Sequence, residues 1–164
     1  MASEIKVDTI VNAGGDNDTG IDLATNDQIL LKVANATKLT MNSTGQTTIV
    51  GEGGTTTTNL QQGLCKCWIR FNGTGTIATD DSFNVSSIVD EGTGSYTVTI
   101  NNDMANDDYA YYGFSSRDNS ASQVGMFGDV NTSNVTTGKF RVIELAGSFF
   151  DVGVVMCAAH GDLA

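Results

Sequence analysis

Every aromatic residue of this 164-residue chain lies at or after Trp68. Aromatic side chains supply the largest apolar areas available to a core. The first 67 residues must do without them and offer mainly Ile, Leu, Val, Ala and Met. The amino-terminal third is therefore expected to build no large core by itself, whereas the remainder has the material for one.

In that first third the apolar residues fall in short alternating sets: Ile5 and Val7, Ile21 and Leu23, Ile29, Leu31 and Val33, Leu39 and Met41, then Ile49. Turn-like clusters such as "NAGGDNDTG" and "NSTG" separate them. A period of two interrupted by turns is the signature of β-strands. A single copy would leave much of this apolar stripe in water. Three copies wound about an axis could cover one another and pair their exposed strand edges. The expectation is a homotrimer with Ile5, Val7, Ile29, Leu31, Val33, Leu39 and Met41 at the subunit interface. The alternative is that these strands pack on the rest of the same chain.

Composition supports an all-β reading. There is no proline, and Gly, Thr and Asn make up about a third of the chain, a mixture suited to short strands and tight turns. The stretch "GEGGTTTTNLQQG" (51–63) has few side chains that could anchor a core and reads as a boundary. Beyond it, strands are expected at 64–71, 82–88, 95–101, 109–115, 122–127, 138–145 and 149–158. "DEGTGSYTVTI" predicts a hairpin that places Tyr96, Val98 and Ile100 on one face. The expected fold is a trimeric β-rich fibre stem (1–58) followed by an antiparallel β-sandwich knob, jelly-roll-like, over 59–164.

The formal charge of −11 would repel phosphate backbones and anionic bilayers, which disfavours nucleic-acid partners. No apolar run is long enough for a spanning helix, and the amino terminus lacks the pattern of a secretory leader, so no membrane insertion is expected. Three cysteines cannot all pair within one chain, which fits synthesis in a reducing compartment.

The chemistry-bearing residues are few. Cys65, Cys67, Cys157 and His160 are just enough for a zinc set on paper. On a strand, however, Cys65, Cys67, Ile69 and Phe71 share one face, and buried free cysteine acts as a small hydrophobe. Core packing is the favoured reading. The opposite face would hold Lys66, Trp68 and Arg70, a candidate subunit contact in which basic stems lie beside an indole. Asp16 and Asp18, two apart in "GGDNDTG", are the candidates for a loose calcium site. They depart from the helix-loop-helix calcium grammar, because Ile21 stands where the loop glycine belongs and Asp27 where a bidentate Glu belongs. No other cofactor is expected.

Catalysis has little support. On a strand, Asp80 and Asp81, or Asp107 and Asp108, would face opposite sides rather than flank one glycosidic bond; in loops they could still converge, which leaves a tailspike-like glycosidase as a minor alternative. His160 stands alone near the carboxy terminus, poorly placed for a catalytic triad. In "DDYAYYGFSS" (107–116), Tyr109, Tyr111 and Tyr112 with Asp107 and Asp108 are candidates for surface recognition, because aromatic faces beside carboxylates suit sugar rings.

The runs "WIRFNGTGT" and "DSFNVSSIVDEGTGSYTV", followed by Met104 and Tyr109, resemble the distal domain of tail-fibre-like virion proteins of marine bacteriophages, of the cyanophage and pelagiphage type. The likeness is strongest over about 60–112 and looser over "GKFRVIELAGSFFDVGVVMCAAHGD". The amino-terminal third is similar to short repeats that precede such knobs. Asp80 departs from the basic residue expected there, and Cys65 and Cys67 stand where alanines are expected. The resemblance implies a non-enzymatic virion protein made in the bacterial cytoplasm, usually trimeric, bound to other virion proteins and exposed to a host surface glycan or protein. A capsid-decorating head fibre or cement protein is the runner-up, and a calcium-dependent lectin-like adhesin a third class.

Overall fold

The computed structural model describes residues 6–12, 19–51, 53–116, 123–128, 134–144 and 149–164, and the chain divides into two compact units, Met1–Gly63 and Leu64–Ala164. Ile5, Asp16 and Asp18 lie outside the described residues.

The first unit is an antiparallel meander of β1 (Thr9–Val11), β2 (Gly20–Asp22), β3 (Ile29–Val33), β4 (Ala36–Met41), β5 (Thr47–Val50) and β6 (Thr57–Asn59), each strand paired with the next. Local chemistry sets the turns. Between β3 and β4, Ala34 and Asn35 have φ of 52° and 56°, the paired positive values of a two-residue hairpin turn whose twist matches that of the strands. Between β4 and β5, the Asn42 carboxamide oxygen accepts from the Thr44 and Gln46 amides at 3.2 and 3.0 Å, and Gly45 takes a positive φ of 77°. The stretch expected to be a plain linker is structured at its end: β6 is followed by a four-residue helix, α1 (Leu60–Gly63). The Gln61 side chain ties this corner to β5, accepting from Thr47 N–H at 2.9 Å and donating to Gly45 C=O at 2.8 Å.

The second unit is one eight-stranded antiparallel sheet: β7 (Cys67–Asn72), β8 (Ala78–Phe83), β9 (Val85–Gly92), β10 (Ser95–Ile100), β11 (Ala110–Ser116), β12 (Gln123–Gly128), β13 (Lys139–Glu144) and β14 (Val154–His160). Their spatial order is β8-β7-β14-β11-β12-β13-β10-β9. Strands β11, β12 and β13 run side by side, and β14 returns to lie beside β11, which is the Greek-key arrangement. The sheet folds over on itself. Phe71 on β7 meets Tyr96 on β10 edge to face, with ring centroids 5.1 Å apart, although four strands separate β7 from β10 along the ladder. The all-β, sandwich-like character follows from these contacts.

The core of the second unit lies between the layers. Cys67, Ile69 and Phe71 from β7, Tyr96, Val98 and Ile100 from β10, Phe140 and Val142 from β13, and Val155, Cys157 and Ala159 from β14 are buried together. The alternation along each strand selects these residues, since every second side chain points inward. At one end, the Tyr96 hydroxyl lies 3.1 Å from Gly73 C=O and 3.2 Å from an Asp151 carboxylate oxygen. Burial, reinforced by the Asp151 charge, pushes this phenol above its usual range. A Cβ at Gly73 would stand 2.4 Å from that hydroxyl, so the close approach requires glycine.

The two ends of the sheet are consecutive in sequence. A single residue, Asn84 (φ 55°), joins β8 to β9, and asparagine tolerates this left-handed conformation better than most side chains. Its carboxamide donates to Lys66 C=O at 2.9 Å and Asn102 C=O at 3.2 Å, and accepts from Asn102 N–H at 2.8 Å. One side chain thus satisfies backbone groups from two other segments where the strand turns from one edge of the sheet to the other.

Candidate interaction surfaces

Among its described residues, the first unit carries one apolar face that its own strands leave exposed. Ile10 on β1 stands opposite Ile21 on β2, Ile21 opposite Leu31 on β3, Leu31 opposite Leu39 on β4, and Leu39 opposite Ile49 on β5. These five aliphatic residues form a straight row across five strands. A second row sets Ile29 opposite Met41. Among the described residues of this unit only Thr47 is buried; no hydrophobic side chain is. Leu31, at the middle of the sheet, is still 38% exposed, and Ile29, Val33 and Met41 are exposed as well. Val7 is exposed and precedes β1, so it borders the sheet without belonging to the row. The opposite face is more polar and holds an ion pair between Lys32 and Asp22. That contact, with the Ala24 amide, holds the Asp22 carboxyl below its usual range.

The second unit has an exposed apolar face too, on the outside of β8, β7, β14 and β11. Phe83 stands opposite Trp68, Trp68 opposite Ala158, and Ala158 opposite Tyr112. In the next row Asp81 stands opposite Arg70, Arg70 opposite Met156, and Met156 opposite Phe114. Phe114 is 61% exposed, Phe83 53% and Trp68 37%, with Tyr112 and Met156 similarly open. Tyr112 and Phe114 meet ring to ring at 6.0 Å, and Tyr112 stacks on His160 with its hydroxyl 3.2 Å from Nε2.

Several expected residues lie elsewhere. Lys66 does not share the outer face with Trp68 and Arg70. It is only 6% exposed, because β7 begins at Cys67 and the strand alternation does not extend back to it. Its amide donates to Ala159 C=O at 2.9 Å. Cys65 also precedes the strand and is half-buried, its thiol 3.1 Å from Cys67 C=O. Tyr109 is buried against Tyr111 and Phe140, and its hydroxyl lies within hydrogen-bond distance of two backbone carbonyls, Lys139 (2.8 Å) and Thr136 (3.0 Å). Tyr111 is half-buried against Phe140. Of the three tyrosines only Tyr112 belongs to an open surface, since Tyr109 and Tyr111 take the inward positions of the alternation. Asp107 and Asp108 are exposed in the loop before β11, not on a strand.

The zinc set does not assemble. On β14, Cys157 points inward while His160 points outward to Tyr112. Burial pushes the Cys67 thiol up to about 12 and raises that of Cys157 as well, so both remain neutral thiols in the core. Among the described residues no three His, Cys, Asp or Glu side chains gather as a metal-binding group. A bulge between Arg70 and Phe71 leaves Asp80 as the extra residue of β8, and its carboxylate takes the Arg70 guanidinium at 2.6 Å.

No family model, curated protein or solved structure matches the chain. Its surfaces must therefore be interpreted from their own chemistry. The sequence pairs Phe114 with Tyr112 on one strand face, but it does not single out Phe83 or Met156. The available signal was the alternation through Cys157, which turns Met156 and Ala158 outward once the cysteine is placed inside.

Proposed function

We propose that this chain is a non-enzymatic structural component of a bacteriophage particle, a homotrimer in which residues 1–63 form the assembling, attaching part and residues 64–164 the displayed part. One observation carries the reading: the six-stranded sheet of the first unit has a continuous aliphatic row and, among its described residues, no buried hydrophobic side chain, whereas the second unit has a buried core of its own. A single-layer sheet with one apolar face in water is not a stable end state. Identical copies, made together and carrying the same row, supply the cover. Its edge strands β1 and β6 are free to pair between copies, and closure about a three-fold axis turns the row inward and removes both edges.

The virion setting rests on the resemblance of "WIRFNGTGT" and "DSFNVSSIVDEGTGSYTV" to tail-fibre-like proteins. The jelly-roll comparison is consistent with the Greek-key order of β14, β11, β12 and β13. The displayed unit would meet a host surface glycan or protein. Imaging virions labelled at the carboxy terminus of this chain tests the placement. Label at the tail is the expected result; label over the shell would overturn it in favour of capsid decoration.

A further inference from the structure

We infer that the outer face of the second unit, formed by Trp68, Phe83, Met156, Tyr112 and Phe114, is a second self-association surface, packed in the assembled protein against other copies of this chain. The inference rests on the homotrimer proposed above and adds to it a contact made by the other unit.

The size of the face is the first reason. With side chains of about 150–250 Å² each, the exposed fractions leave on the order of 500 Å² of apolar surface on four adjacent strands. The largest apolar patch of an ordinary monomer is about 300–600 Å² and is often functional. Turned toward a common three-fold axis, three such faces bring together on the order of 1,500 Å² of apolar surface, above the roughly 1,000 Å² total that marks a specific protein interface.

Its polar chemistry is the second. A sugar platform needs free hydrogen-bonding groups beside its aromatic rings. Here the Tyr112 hydroxyl is engaged with His160, and the Arg70 guanidinium with Asp80. The centre of the face, Met156 and Ala158, has no polar side-chain group at all. An apolar centre bordered by polar groups that already have partners within the chain suits a protein surface of the same kind.

Charge and tethering select other copies as that surface. Each chain carries a formal −11, so copies repel wherever carboxylates face each other. On these rows the one acidic residue is Asp81, at the β8 edge, and the neighbouring bulge residue Asp80 is paired with Arg70. The second unit follows the first without a spacer, Gly63 to Leu64. Copies held together through residues 1–63 therefore keep their second units at an effective concentration of about millimolar, enough for a modest apolar face to close.

Trp68, the only tryptophan, reports on this face directly. Full-length protein is examined by light scattering and, in the same sample, by Trp68 emission and acrylamide quenching. The expected result is a mass of three chains, blue-shifted emission, and quenching several-fold weaker than in a Phe114→Asp variant of the same mass. Phe114 is mostly exposed, so that variant should retain the wild-type far-ultraviolet circular dichroism. A trimer whose Trp68 is freely quenched and insensitive to Phe114→Asp would overturn this inference and leave the stem reading intact. A monomer with open Trp68 would overturn both. Trp68 that is open in the trimer and shielded only on adding host envelope fragments would overturn it in favour of a host partner.

Discussion

Leu31 on β3 and Phe71 on β7 occupy comparable places, each on an interior strand with hydrogen-bonded neighbours on both sides, yet Phe71 is fully enclosed and Leu31 is 38% exposed. The pleat sends both side chains to one face of a sheet; what differs is whether a second layer lies over that face. In the second unit the chain supplies the layer itself, by folding the ladder until β10 and β13 face β7 and β14. In the first unit each strand simply follows the last, and a single-layer meander has no second layer with which to cover its own apolar row. Alternation therefore decides direction, whereas topology decides burial.

Exchanging the damage between units tests this contrast most severely. Phe71→Ala should cost the second unit roughly 3–5 kcal/mol in denaturant melts while leaving the oligomeric mass unchanged. Leu31→Asp should do the reverse, releasing single chains in sedimentation runs while the melt of the second unit stays in place. A Leu31→Asp protein that remained fully assembled would break the comparison.

Overpacking is the next effect in size. Gly73→Ala pushes a methyl group against the Tyr96 hydroxyl and should lower stability by about 1–3 kcal/mol, detectable as a lower thermal midpoint with unchanged mass.

The buried thiols give the second unit an alkaline weakness that the first, without cysteine, lacks. Cys67 is raised from 9.0 to about 12, first by burial and then by the neighbouring Cys65. The unfolded chain loses this proton earlier than the folded one. The thiol's contribution is therefore fully present below about pH 9 and is lost as the pH climbs toward the folded value. Denaturant midpoints of the second unit should fall on the alkaline side of pH 9, and fall less in a Cys67→Ala, Cys157→Ala double variant.

Arg70→Ala should have the smallest effect. The guanidinium and its partner Asp80 are both about half exposed, so the loss should be at most about 1 kcal/mol. A larger loss in the assembled protein than in a Leu31→Asp background would place Arg70 at a subunit contact.

Much of this contrast was legible in the sequence. The aromatic boundary at Trp68 separates the unit that can build a core from the one that cannot, and the period of two marks the strands that bear Leu31, Leu39, Tyr96 and Phe71. The errors arose where a local irregularity shifts the pattern. The alternation that puts Lys66 on the outer face fails because its strand begins only at Cys67. The bulge at Asp80 concealed most of β8. Asn84, which joins two strands at a single left-handed residue, made residues 82–88 resemble one strand. Strand β6 has no apolar side chain, so periodicity could not reveal it. The outer face of the second unit depends on long-range register, pairing Trp68 with Ala158, a quantity that no local window contains.

The most direct test of the central claim is the mass of the full-length protein across a dilution series, by sedimentation equilibrium. If the aliphatic row from Ile10 to Ile49 is covered by other copies, the chain should sediment as three copies at micromolar concentration, and deleting residues 1–50 should leave folded single chains or weakly associating ones. A full-length protein that is monomeric throughout the series, with the strands of residues 1–63 still folded, would contradict it.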